Sequence, residues 1–177
     1  PKELLFAFKE RCLVHFAVDT DQVSITTKLE GKETTFLPFN RGHNHGAGNP
    51  PVEDDYRTSY LWREVLSRQS LLDILARFLH LQVNEKTIAT AQGLKRFTKE
   101  TLIFPRYHQL DVVRKLIGHA WEHGSGHNYL VQHSAGSGKS NSIAWLAHRL
   151  ANLHDADDTK IFHSIIVITD RRVLDKQ

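Results

Sequence analysis

The sequence predicts an α/β protein in two parts: an N-terminal part of β-hairpin and helices, then the opening of a parallel sheet with helices wound on it. Three observations predict this. Apolar and polar residues alternate from Val23 to Leu29, the period of a half-buried strand. "FPRYHQLDVVRKLIGHA" carries apolar residues three and four apart, as a helix with one dry face does. Two short apolar runs, "NYLVQ" and "SIIVIT", flank a second helical pattern. A strand, a helix and a strand joined by short links form a unit whose two strands should lie parallel in one sheet.

Taken in order, residues 11–18, "RCLVHFAV", read as a first strand. Val23, Ile25, Thr27 and Leu29 form the dry side of a second. Gly31 offers a turn, and "ETTFLPF" returns as the other arm of a hairpin. Residues 40–55, "NRGHNHGAGNPPVEDD", hold the Gly, Asn and Pro that interrupt periodic structure and read as a loop. Residues 60–66 read as helical. Ser70 with Asp73 is expected to cap a further helix whose inner face is Leu71, Ile74, Leu75 and Phe78. Residues 84–99 show no period and read as a linker, which sets the domain boundary near Glu100. The next helix has the stripe Leu110, Val113, Leu116, Ile117 and Ala120, and Gly124 is expected to end it. The helix after the glycine loop has Ile143, Leu146, Ala147 and Leu150 on one face.

The chain has 177 residues, of which 40% are hydrophobic and 24% charged, ordinary values for a globular protein. Its net charge of +3 permits a nucleic-acid partner without arguing for one. Cys12 is the only cysteine, so no internal disulfide can form, which fits a reducing, cytoplasmic setting. No apolar run is long enough to cross a bilayer. The chain starts at Pro1, lacks methionine and stops at Gln177 as a helical pattern begins, so it is expected to be a window on a longer protein.

The stretch "HSAGSGKS" explains its own glycines. A phosphate must be held without a bulky side chain in the way, and successive backbone N–H groups in a glycine loop form a nest for it. The helix that follows adds unpaired N–H groups and the positive end of its dipole. Ser134, Ala135, Gly136, Ser137, Gly138, Lys139 and Ser140 are thus the expected nucleotide cradle. Lys139 reaches the terminal phosphates and the Ser140 hydroxyl ligates Mg²⁺. The strict spelling of this motif has a glycine where His133 stands, which touches the exit from the strand more than phosphate binding. Upstream, the Gln109 amide has a donor and an acceptor side by side, which suits the N6 and N7 edge of adenine; a surface glutamine at a helix start is the alternative.

"FPRYHQLDVVRKL", "NYLVQHSAGSGKSNSIAWLAHRL" and "IIVITDRRVLDKQ" resemble the Q-motif, motif I and motif Ia of superfamily 2 helicase-like ATPases. More narrowly, with "FLPFNRG", "GAGNP", "YRTSYLW" and "LLDILARF", nearly the whole chain resembles the restriction (R) subunit of type I restriction endonucleases. The resemblance implies that residues 1–99 are the end of a nuclease domain plus a helical linker. Residues 100–177 would open a RecA-like motor domain. It implies ATP-dependent translocation of duplex DNA coupled to endonucleolytic cleavage, with ATP and Mg²⁺ as cofactors and modification and specificity subunits as partners. Carried over by position, Gln109 reads adenine, Ser134 to Ser140 hold the phosphates and Lys139 stabilises charge on the γ-phosphate. Thr169, Arg171 and Arg172 sit where motif Ia touches DNA. Two arginines beside a strand end are expected to pair with backbone phosphates and read no sequence; a solvated, charged helix start is the alternative.

The nuclease needs carboxylates and a lysine around a metal, and no convincing set is present. Asp19 and Asp21 read as a polar turn. The nuclease residues are expected before Pro1 and the Walker B acids beyond Gln177, so this window alone should bind nucleotide poorly and not hydrolyse it efficiently. His119 to His123 spells H-x-x-E-H, but against a helix terminator, where a dipole partner is the better reading for His123. A P-loop NTPase or kinase acting on a small molecule and a non-catalytic nucleotide-binding scaffold stay open as alternatives.

Overall fold

The computed structural model describes residues 3–90 and 93–169. It is mixed α/β, with two small antiparallel sheets and three α-helices among the described residues. The chain divides into two compact units, Pro1–Arg106 and Tyr107–Gln177.

In the first unit, β1 (His15–Val18), β2 (Val23–Thr26) and β3 (Leu37–Pro38) form one antiparallel sheet in that order. Phe16 pairs with Ile25, and Ile25 with Leu37. The expected hairpin is therefore present, though β1 begins at His15 and not at residue 11. Val23 and Ile25 are buried, as the alternation requires, but β2 ends at Thr26, which is buried too, and Thr27 and Leu29 lie beyond the strand and are only half-buried. They sit with a cluster of rings: Phe16 lies edge-on to both Phe39 and Phe104, at 5.6 and 5.9 Å between centroids.

Polar side chains tie the glycine-rich loop to this sheet. Asn40 Oδ1 accepts from the Val23 N–H at 2.8 Å and from Asn49 Nδ2 at 2.9 Å. Asn49 is itself buried and accepts from the Arg41 N–H. The Tyr60 hydroxyl donates to the Phe39 carbonyl at 2.7 Å. These bonds satisfy backbone groups that a buried loop would otherwise leave unpaired.

Residues Leu61–Val65 make one wide π-helical turn, closed by the Leu66 N–H on the Leu61 carbonyl. Helix α1 (Arg68–Arg77) follows and buries Ile74, with Phe78 just past its end. Two expectations fail here. Ser70 and Asp73 do not cap the helix, because it already begins at Arg68; the Ser67 hydroxyl donates to the Glu64 carbonyl and Asp73 pairs with Arg77 one turn on. Leu75, placed on the inner face, is exposed.

The stretch read as a linker is a long antiparallel ribbon, β4 (His80–Thr90) with β5 (Gly93–Ile103), running unbroken from the His80–Ile103 pair to Thr90–Gly93. It escaped the period test because neither of its faces is uniformly apolar, so no alternation marks it. Its many Thr, Val and Ile residues were the remaining clue.

In the second unit, α2 (Tyr107–His123) buries Leu110, Val113, Ile117 and Ala120 and stops at Gly124, whose N–H bonds the Ala120 carbonyl. Helix α3 (Lys139–Ala151) packs against it and buries Ser142 and Trp145. Ile143, expected on the inner face, is exposed; the inner row is one position over. The RecA-like parallel sheet does not form among the described residues. Residues 128–132 and 164–169, read as its strands, carry no ladder. Leu130, Ile166 and Ile168 are 92%, 83% and 89% exposed. A parallel strand is buried on both faces and needs a strand beside it to hold its hydrogen bonds. Neither stretch has one here.

A candidate phosphate cradle between two helices

The turn from residue 134 into α3 is built by two glycines. Gly136 and Gly138 adopt φ of 72° and 79°, the left-handed region that a Cβ makes costly. With no Cβ, the backbone reverses there and enters α3 directly, so Gly138 occupies the N-cap position. The N–H groups of Asn141 and Ser142 turn back to the Gly138 carbonyl. The N–H groups of Lys139 and Ser140 fall in the first helical turn, which has no intrahelical acceptors for them. The positive end of the helix dipole lies at the same place.

Lys139 opens α3, and its ammonium turns back over the loop. Its Nζ donates to the His133 carbonyl at 3.1 Å and the Ser134 carbonyl at 2.8 Å. A cation thus stands among the loop amides. Ser140, one residue on, is half-buried at the helix start. The Ser137 hydroxyl is buried in the loop without a hydrogen-bond partner. These features fit an anionic phosphate chain: left-handed glycines, first-turn amides, a placed ammonium and a buried hydroxyl in want of a partner.

Gln109 is buried at the start of α2, not a surface glutamine, and its side chain meets this loop. Its Nε2 donates to the Gly138 carbonyl at 2.8 Å and the Ser137 carbonyl at 3.2 Å. His108 Nε2 lies 3.0 Å from the same Ser137 carbonyl, which only accepts, so that nitrogen is the protonated one. Two neighbouring side chains of α2 therefore brace the loop. Reading the sequence missed His108, although it stands next to Gln109 in the same motif. His133, at the position of the missing glycine, packs its ring edge-on against His108 at 4.8 Å. Its backbone is not left-handed, so a side chain is tolerated there without strain.

Four expected residues remain. Ala135 lies within the turn, exposed. Thr169 is half-buried at the end of its segment, and Arg171 and Arg172 lie outside the described residues. At the far end of α2, His119 and His123 stack in parallel with centroids 4.1 Å apart. His119 Nδ1 meets the Tyr129 hydroxyl at 2.7 Å, and His123 Nδ1 the His119 carbonyl, so both rings have partners other than a metal. In the first unit, Asp19 Oδ1 accepts from the N–H groups of Asp21 and Gln22, each at 2.7 Å, and closes the β1–β2 turn. Those two donors hold its carboxyl below the usual carboxylate range. No described helix is long and apolar enough to cross a membrane.

A model of the SWI2/SNF2 ATPase family matches residues 108–177. The match starts at His108 and takes in Gln109, the whole loop and α3. No curated protein and no solved structure matches the chain. The bracing of the loop by α2 and the family match describe one stretch of chain, and that stretch is similar to a helicase-like superfamily 2 ATPase.

Proposed function

We propose that the chain is part of the restriction subunit of a type I restriction–modification endonuclease. In this reading the whole subunit hydrolyses ATP to translocate duplex DNA and couples translocation to cleavage, beside modification and specificity subunits in the cytoplasm. The observation that carries it is Lys139, with its ammonium set among the loop amides within a segment similar to SWI2/SNF2 ATPases. The narrower choice of a restriction subunit rests on the motif blocks spread along the rest of the sequence.

Bound ATP with Mg²⁺ would supply the phosphoryl group and its counter-charge. The chain's own residues do the rest. Backbone amides from Ser134 to Ser140 hold phosphate oxygens. Lys139 leaves the His133 and Ser134 carbonyls and turns its charge to the terminal phosphate, where negative charge grows during transfer. The Ser140 hydroxyl, in the first turn of α3, would help hold the Mg²⁺ that accompanies the nucleotide. In this reading Gln109 takes the adenine edge by exchanging one of its two Nε2 bonds to the Ser137 and Gly138 carbonyls for adenine N7, while its Oε1 accepts from N6, which links base recognition to the shape of the loop. Thr169, Arg171 and Arg172 hold DNA backbone phosphates.

The test is Lys139→Ala in the complete subunit. DNA-stimulated phosphate release should fall at least about a hundredfold, the usual scale for losing one transition-state donor. Displacement of a third strand annealed ahead of the motor should cease with it. Undiminished hydrolysis in the variant would defeat the assignment.

A further inference from the structure

The Ser137 carbonyl takes two side-chain donors, and only one of them has other work in the proposed function. His108 Nε2 stands 3.0 Å from it and Gln109 Nε2 3.2 Å. The Gly138 carbonyl is placed differently. It takes Gln109 Nε2 at 2.8 Å and also the N–H groups of Asn141 and Ser142, at 3.1 and 3.4 Å. An amide nitrogen has two hydrogens, so Gln109 spends both on the loop.

If Gln109 is to meet a base, one of these bonds must be given up. The bond to Ser137 is the longer of the two. Ser137 is buried, and a buried carbonyl left without a donor is costly. His108 removes that cost, because its N–H stays on the Ser137 carbonyl while the amide turns to the base. His133 steadies the ring that does this. It stands edge-on to His108 at 4.8 Å, a favourable arrangement for two rings. A glycine at 133, as in the strict spelling of the motif, would leave the His108 ring without that wall.

We propose that His108 sets nucleotide specificity: it holds the Ser137 carbonyl when Gln109 lets go, and so frees the amide to select adenine. It acts through Gln109 and is a positioning residue, and its role rests on the ATPase reading above.

The experiment compares DNA-stimulated hydrolysis of ATP and GTP by the complete subunit, as a ratio of kcat/KM. Guanine shows two acceptors, N7 and O6, where adenine shows an acceptor and a donor, so one amide orientation cannot serve both. His108→Phe keeps a ring beside His133 but has no N–H to give. It should lower the preference for ATP about tenfold, the scale of one buried carbonyl left unpaired, and the loss should lie in a higher KM for ATP. His108→Asn, whose amide falls short of the carbonyl, gives a second reading of the same loss. His108→Gln carries an amide N–H to nearly the reach of Nε2 and should restore the preference. In Gln109→Ala the base is no longer read, so adding His108→Phe should cost no further preference. Circular dichroism of each variant verifies that the fold is kept.

The role of His108 is overturned if the parent uses ATP and GTP alike, or if both His108→Phe and His108→Asn keep the parent's preference. It is overturned equally if the loss lies in kcat for both nucleotides, if His108→Gln restores nothing, or if the losses of His108→Phe and Gln109→Ala add. A parent that hydrolyses neither nucleotide would sink the ATPase reading itself. Hydrolysis that is present in the parent and lost in Lys139→Ala, with the preference unmoved at position 108, would sink this inference alone.

Discussion

Asp19 shows how much one carboxylate can organise. It caps the β1–β2 turn through two N–H donors, and that turn sets the register of the sheet. Its pKa is lowered in the fold, so the charged form is the one the fold favours. The contribution to stability is therefore complete above the ordinary carboxylate pKa of about 3.9 and is lost as pH falls through the lower folded value. Asp19→Asn keeps an acceptor oxygen but cannot titrate. Thermal melts from neutral pH down to strong acid should show the parent losing more stability than the variant below about pH 3.9; parallel curves would refute this role. The polar turn was legible because Asp19 and Asp21 lay between two apolar runs. The glycines of the cradle were legible for a similar reason, since few residues other than glycine accept a φ of 72° or 79°. His108 was not, because a histidine braces a carbonyl by geometry and carries no local spelling.

At the level of elements, the sequence was read well wherever a face is dry. Helix α2 buries every residue of its predicted stripe except the half-buried Leu116, and it ends at Gly124 as predicted. Helix α1 was placed about correctly, and Ile74, fully buried at its centre, anchors it. Ile74→Ala should cost about 2–5 kcal/mol, as deletion of a core aliphatic side chain does, and the midpoint of urea unfolding of the first unit reads it. Leu75→Ala, one position along and exposed, should cost well under that and controls for helix propensity. Reading failed where pattern and partner part company. The β4–β5 ribbon has no dry face, so its strands look like linker. Residues 128–132 and 164–169 have the composition of buried strands, yet a strand exists only with a neighbour to share its ladder. Composition therefore marks what these residues could join and not what they join here.

On the scale of the whole molecule, the two units carry separate chemistries. The second holds the glycine loop braced by α2; the first holds the ring cluster and the tied loop. The second unit also shows an uncommon amount of bare aliphatic surface at Leu130, Ile166 and Ile168. Exposed apolar groups in one unit attract other apolar matter. The chain should brighten a hydrophobic dye such as ANS, and Ile166→Ser with Ile168→Ser should dim that signal without lowering the unfolding midpoint. A lower midpoint would mean that these side chains are packed in solution. The resting posture of Lys139 has a further bearing on the whole protein. Its charge already leans on two oxygens of its own loop, so a lone anion such as orthophosphate must outcompete them with a single weak grip. A tethered row of phosphates with its metal has several handholds at once. On the proposed function, the resting loop thus turns away a stray ion and yields to a chain of phosphates.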